Sequence, residues 1–388
     1  TPAGRTADRP RRTIGFSSYA PARRYCCFMS TPAPNRTTGN TGAPIAGQAK
    51  ASAAAAAPGN PLPGPDATPE RRSRLRWADL PDSVRSAVEH LLGSPVIAAH
   101  SQPGGYSPGS ADRVVTAEGS RFFVKAVTSS LNSESPQLHR REARIMKLLP
   151  PGLPTPHLVG THDDGEWVAL VFSDVDGRHP HLSGTDLHAV LDAVDAISAR
   201  SLPPQALEVL PSLTDEVRGI FQGWARLRTD PHAGLDRWAA EHHAQLESLS
   251  ASAADNVGGD RLAHFDLRAD NVLIESNGRA VIVDWPWAAH GATWFDALTL
   301  LVDSRVTDPA CDTETALREH AVFETAEPQQ VDSVLAALAG YFLDNARKPS
   351  PPGLPTLRAF QQAEGAACLA WLRERLGPDR RGESGQIP

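Results

Sequence analysis

Between His264 and Asp284 the chain carries its densest set of groups that can do chemistry. The run His264-Phe265-Asp266-Leu267-Arg268-Ala269-Asp270-Asn271 has the skeleton His-x-Asp-x-x-x-x-Asn. A second carboxylate, Asp284, ends the apolar run Ala280-Val281-Ile282-Val283. Two carboxylates and an amide are hard oxygen donors of the kind Mg²⁺ takes, with one carboxylate left over as a base. An ordinary solvated loop can hold the same groups, so the elements around them decide.

Residues 271–275 and 280–283 read as two apolar strands. Ser276-Asn277-Gly278 between them supplies the positive φ that a tight hairpin needs. Pairing brings the start of the first strand beside the end of the second. Asn271 and Asp284 then lie side by side, with Asp266 close by.

Upstream, the stretch Pro103-Gly104-Gly105-Tyr106-Ser107-Pro108-Gly109-Ser110 separates a strand at 95–100 from one at 112–117. Glycines there let backbone approach phosphates, and any hairpin can use them too. The next strand, 121–127, puts Phe123 and Lys125 on one face. A helix over 136–149 follows, with Ser135 as its N-cap and Pro136 in its first turn. On it Leu138, Glu142, Ile145 and Leu149 share a face, so Glu142 lies among apolar residues. An unpaired carboxylate there is costly, and Lys125 is its expected partner.

Strands at 157–160 and 167–173 complete a small mixed sheet. A short helix is read at 82–92, before the first strand; from Thr185 onward the pattern is mainly helical, with segments near 212–227, 234–250, 329–345 and 357–376 read as helices.

The motif residues, their spacing and the second Asp resemble the catalytic loop and metal-binding Asp of the protein-kinase-like superfamily. The similarity is greatest to its aminoglycoside phosphotransferase and choline kinase branch, and it covers residues 95–376. The resemblance implies an α+β, two-lobed protein-kinase-like fold. A small mixed-sheet N-lobe would span 76–174 and a mainly helical C-lobe 175–388.

It further implies a small-molecule kinase that moves the γ-phosphate of ATP or GTP to a hydroxyl group, with Mg²⁺ as cofactor. In that reading Gly104, Gly105 and Ser107 cover the nucleotide. Lys125, positioned by Glu142, holds its phosphates, and the hinge at Phe172–Val175 receives the base. Asn271 and Asp284 would hold the metal. Asp266 would receive the acceptor's proton, and Arg268 would add charge near the transferred phosphate. Asp296 would brace the catalytic loop. The Asp-Phe-Gly of protein kinases is Asp284-Trp285-Pro286 here, so their flip of that segment does not carry over.

Asp296 follows Asp284 by twelve residues. That is too short for a peptide-docking segment and favours a small acceptor. The competing reading is a nucleotide-binding pseudokinase with a regulatory or interaction role; Asp266, Asn271 and Asp284 argue against it. Trp287, Trp294 and Trp371 are candidates for an acceptor pocket, although core packing is the commoner use of a Trp.

Composition bounds the rest. The chain has 388 residues, 40% hydrophobic and 21% charged, and no apolar run of membrane-spanning length. Residues 1–75 are rich in Pro, Ala and Arg and read as a disordered tail. Eleven basic residues against three acidic ones give that tail +8, so the remainder of a chain at −7 carries −15. An acidic body favours a cationic acceptor only weakly. A basic tail is also the composition of a transit segment or a nucleic-acid arm, but nothing else in the chain supports nucleic acid as a partner. Four Cys in neither disulfide nor zinc spacing fit a reducing compartment, and a cytoplasmic location is expected.

Overall fold

A computed structural model describes residues 74–102, 109–231, 234–351 and 354–377. The tail up to residue 73, and the expected phosphate-loop residues Gly104, Gly105 and Ser107, lie outside the described residues.

Helix α1 (Asp82–Leu92) opens the N-lobe and stops at Gly93, whose φ of +71° continues no helix. Five strands follow: β1 (Val96–Ser101), β2 (Ser110–Thr116), β3 (Arg121–Thr128) and, after helix α2 (Ser135–Leu148), β4 (Leu158–Asp163) and β5 (Trp167–Ser173). They form one antiparallel sheet in the order β1-β2-β3-β5-β4. Alternation along β3 gives the sheet two faces. Val124 and Ala126 point outward into a small core with Trp77, Val84 and Val88. Phe123 and Lys125 point toward α2. The start of α2 differs from the expectation. Asn132 Oδ1 accepts from the Glu134 and Ser135 amides at 2.9 Å each, so Asn132 supplies the acceptor expected of Ser135.

The lobes join at residues 174–176, where Arg113 of β2 makes two 2.7 Å bonds to the Asp174 carboxylate. Arg121 of β3 reaches the same carboxylate at 2.9 Å, and both arginines also pair with Asp176. Directly after this clamp, β6 (Gly177–Arg178) pairs with a strand of the C-lobe, Gly177 opposite Glu275.

The C-lobe continues through α3 (Gly184–Ser198), α4 (Pro204–Val209), α5 (Leu213–Arg218), α6 (Gly223–Thr229), α7 (Arg237–Glu241), α8 (His243–Ser250) and α9 (Ala253–Asn256). The single helices expected over 212–227 and 234–250 are each broken in two. Next come β7 (Arg261–Ala263), β8 (Val272–Glu275), β9 (Ala280–Ile282) and β10 (Ala289–Gly291). Helices α10 (Phe295–Thr307), α11 (Thr313–Glu319), α12 (Pro328–Ala346) and α13 (Leu357–Leu376) complete it. Helix α12 is buried on nearly every side and carries the lobe's packing. One continuous core runs from Ile145 and Leu170 in the N-lobe to Leu372 in α13. Trp287, Trp294 and Trp371 all belong to it, each at most 5% exposed, so none lines an open acceptor pocket. Among the described residues no helix is long and apolar enough to cross a membrane.

Candidate active site

The hairpin β8–β9 builds the centre of the site. Its register sets Val272 opposite Ile282 and Ile274 opposite Ala280, and Gly278 makes the turn at φ +84°. One more bond, Val283 N–H to the Asn271 carbonyl at 2.9 Å, carries the pairing past the strand ends. Asn271 is thereby held next to the residue that precedes Asp284.

The loop before the hairpin is held from inside. Phe265 is buried and has φ +67°, a conformation that a bulky side chain rarely adopts. The buried Asp296 carboxylate, in the first turn of α10, accepts from the His264 amide at 2.5 Å and the Phe265 amide at 2.9 Å. The His264 imidazole donates from Nε2 to the Val283 carbonyl at 3.0 Å, and its Nδ1 accepts from the Asp266 amide at 3.3 Å. Those roles require the neutral ring, and burial holds its pKa below the ordinary 6.5. Imidazole and carboxylate thus tie loop, hairpin end and helix together.

Asn271 donates its amide to the Asp266 carbonyl at 2.8 Å, which leaves its Oδ1 as the end available to an outside cation. Asp266 is 8% exposed. Asp284 also has φ +67° and keeps 47% of its side chain open to the cleft.

Three elements from two lobes meet at Lys125. Its Nζ lies 2.9 Å from both oxygens of Glu142 on α2 and 2.6 Å from Asp284. Burial works against a charged amine, but Asp284 and Glu142 outweigh it and hold Lys125 well above its ordinary pKa. Burial likewise opposes ionisation of Asp284, and Lys125 reverses the sign, keeping that carboxyl below its usual range. Glu142 also accepts from the Trp285 amide at 3.3 Å. That Trp, 0% exposed, donates its indole N–H to the Ile282 carbonyl at 2.9 Å and so fixes the backbone just after Asp284.

The donor set fits a magnesium ion bound together with phosphates. Asn271 Oδ1 and a half-open Asp284 supply two oxygen positions, and the Lys125 amine already marks the place where Asp284 takes a cation. Among the described residues no cluster of three or more His, Cys, Asp or Glu forms a metal cage. Mg²⁺ ordinarily completes its shell with water and substrate phosphates, so two protein donors suffice.

The structure therefore brings Lys125, Glu142, Asn271, Asp284 and Asp266 into one region. Phe172 is buried in β5 with its ring 5.6 Å from the Lys125 amine, and Val175 lies in the link between the lobes. The Arg268 guanidinium bonds Asp270 at 2.6 Å and lies over the Phe360 ring of α13. The bracing roles of His264 and Trp285 had no separate signal in the sequence beyond their place inside the motif.

The description "phosphotransferase enzyme family" belongs to the family model that matches residues 104–341. Among solved structures, an aminoglycoside phosphotransferase from Alicyclobacillus acidocaldarius is 14% identical, with a TM-score of 0.50 over 72% of this chain and 92% of that one. A spectinomycin phosphotransferase crystallised with ADP and spectinomycin is 13% identical, with a TM-score of 0.49 over 76% and 98%. A choline kinase, LicA from Streptococcus pneumoniae, is 13% identical, with a TM-score of 0.48 over 76% and 97%. At such identities the likeness concerns the fold. No curated protein matches the sequence.

Proposed function

The chain belongs to the phosphotransferase enzyme family, and from that premise we propose that it transfers the terminal phosphoryl group of ATP or GTP to a hydroxyl of a small molecule. The observation that carries the proposal is the meeting of Lys125, Glu142 and Asp284 beside Asn271 and Asp266.

In this reading the acceptor oxygen forms the new bond to phosphorus, the bond to the bridging oxygen breaks, and its electron pair leaves with the nucleoside diphosphate. Asp266 receives or orients the hydroxyl proton. Lys125, aligned by Glu142, holds phosphate oxygens. Asn271 and Asp284 would hold Mg²⁺, which supplies charge neutralisation of the phosphates when bound. The segment from Asp284 to Asp296 is short and is tied down by the pairing of β10 with β7, so it offers no platform for a peptide. A small acceptor, with a cationic one favoured by the acidic body of the chain, is the class that fits.

The test is release of ADP or GDP over a panel of aminoglycosides, macrolides, choline-like alcohols and sugars. Asp266→Asn should lose about 10²–10⁴ in turnover and still bind nucleotide. Asp284→Asn should lose the metal-dependent part of nucleotide binding. A wild-type protein that binds neither nucleotide, with or without Mg²⁺, would sink the proposal.

A further inference from the structure

A lysine ammonium has three N–H donors, and those of Lys125 meet three carboxylate oxygens. Two are the Glu142 oxygens, each at 2.9 Å, and the third is Asp284 Oδ1 at 2.6 Å. The donor set is complete before any phosphate reaches it. Lys125 can hold a phosphate oxygen only in exchange for one of these bonds.

The bonds are not equally exchangeable. The Glu142 side chain is 3% exposed, lies on the buried face of α2 and also accepts from the Trp285 amide at 3.3 Å. Taking its cation away leaves a buried carboxylate uncompensated, which is strongly unfavourable. Asp284 is 47% exposed toward the cleft, so water can solvate it on release. The bond to Asp284 is therefore the one that yields. It is also the bond that matters to a metal. Of the two donors at the magnesium position, Asn271 is an amide and brings no charge, so Asp284 supplies the attraction. While the amine sits 2.6 Å from Asp284, a divalent cation approaching the same carboxylate meets a like charge at short range.

We infer that Lys125 gates the metal position: it bars a free divalent cation from Asp284, and a nucleotide opens the position by drawing the third donor of the amine onto a phosphate oxygen. Metal and nucleotide then enter together, each raising the affinity of the other by the same factor. The inference rests on the phosphotransferase reading above, because the exchange needs phosphates in this cleft.

Mn²⁺ tests it, since the same oxygen donors suit Mn²⁺ and its paramagnetic resonance signal reports the free ion directly. The full chain is titrated with Mn²⁺ in the absence of nucleotide, with melting temperature as the folding control. The free wild type should take up no Mn²⁺ that Asp284→Asn removes. Lys125→Met, which keeps an unbranched stem and loses the charge, should bind free Mn²⁺ roughly ten-fold more tightly or better, the scale expected when a like charge at this range is removed. That gain should vanish in Lys125→Met/Asp284→Asn and persist in Lys125→Met/Glu142→Gln. A wild type that binds Mn²⁺ as tightly as Lys125→Met would overturn the inference, and so would a gain that survives loss of Asp284 or depends on Glu142. Mn²⁺ uptake by the free wild type that Asp284→Asn abolishes would overturn it without any change at Lys125. Calorimetric binding of ADP to the wild type keeps the two readings apart. ADP binding in a protein that fails the Mn²⁺ test removes the gate and leaves the phosphotransferase reading standing; a wild type that binds no nucleotide removes both.

Discussion

Two residues at the site, Phe265 and Asp284, hold a left-handed backbone without being glycine. Such conformations persist where the surroundings over-determine them. Asp296 does this for Phe265 through two amide bonds, and Trp285 for Asp284 through Glu142 and Ile282. The identities of Asp266, Asn271 and Asp284 were legible in the sequence because one loop and one hairpin carry them all. The bond between Lys125 and Asp284 was not legible, because it joins residues 159 positions apart. Glu364 on α13 had no sequence signal at all. It is 3% exposed, and its Oε1 has no hydrogen-bond partner. Burial pushes its carboxyl well above the ordinary 4.5; Asp303 adds to the rise and Arg268 opposes it. The folded chain then keeps a proton that the unfolded chain has lost, so stability falls as pH rises above about 4.5. Glu364→Gln should remove this penalty. Its gain in stability should grow with pH, reaching about 1–3 kcal/mol where the parent would have to bury the charge. Denaturant curves at pH 5 and pH 8 measure it, and an equal gain at both would contradict the account.

Elements with a clear period were read correctly in kind. The helix of residues 136–149, the strand carrying Lys125 and the hairpin with Asn277-Gly278 all form, displaced by a residue or so at their ends. The misses have physical causes. Strands β7 and β10 have three residues each, too few for alternation to register. The helix expected over 212–227 breaks around Gly219, passes through a 3-10 turn at Ile220–Gln222 and resumes at Gly223, which lies against α12. A Cβ on Gly223 would stand 2.1 Å from the Gly340 carbonyl carbon. The reverse contact is as tight: a Cβ on Gly340 would come within 2.6 Å of the Trp224 ring. That ring cannot retreat, since its N–H donates to the Ala336 carbonyl at 2.7 Å. Alanine gains about 1 kcal/mol over glycine inside a helix. Overpacking of a closed core costs about 1–3 kcal/mol, and a ring without room to move puts this site at the upper end. Gly340→Ala should therefore lower the unfolding free energy by about 2 kcal/mol net, read from the midpoint of urea unfolding. A neutral or stabilising result would mean that α6 and α12 can part without loss.

At the scale of the whole molecule, the change in composition before Trp77 and the burial of Trp77 motivate a prediction about the residues before it. A chain beginning at Arg74 should match the full chain in melting temperature and turnover. A large drop in melting temperature on removing residues 1–73 would mean that they pack on the lobes. The two-lobed outline was legible because the sequence changes character once, from short strands to helices. How the lobes are joined was not legible, because it depends on arginines in β2 and β3 meeting acids some sixty positions later. That joint restricts motion in a definite way. Asp176 is clamped to the N-lobe by Arg113 and Arg121, and Gly177 is already paired to Glu275 in the C-lobe. No slack residue remains between the two attachments on this strand. A turn of one lobe against the other, which a loose linker would spread over many torsions, concentrates on the dihedral angles flanking a single peptide link. Along this strand the connection is one peptide link wide, and it works beside the core that both lobes share, so a turn of one lobe against the other must also repack that core.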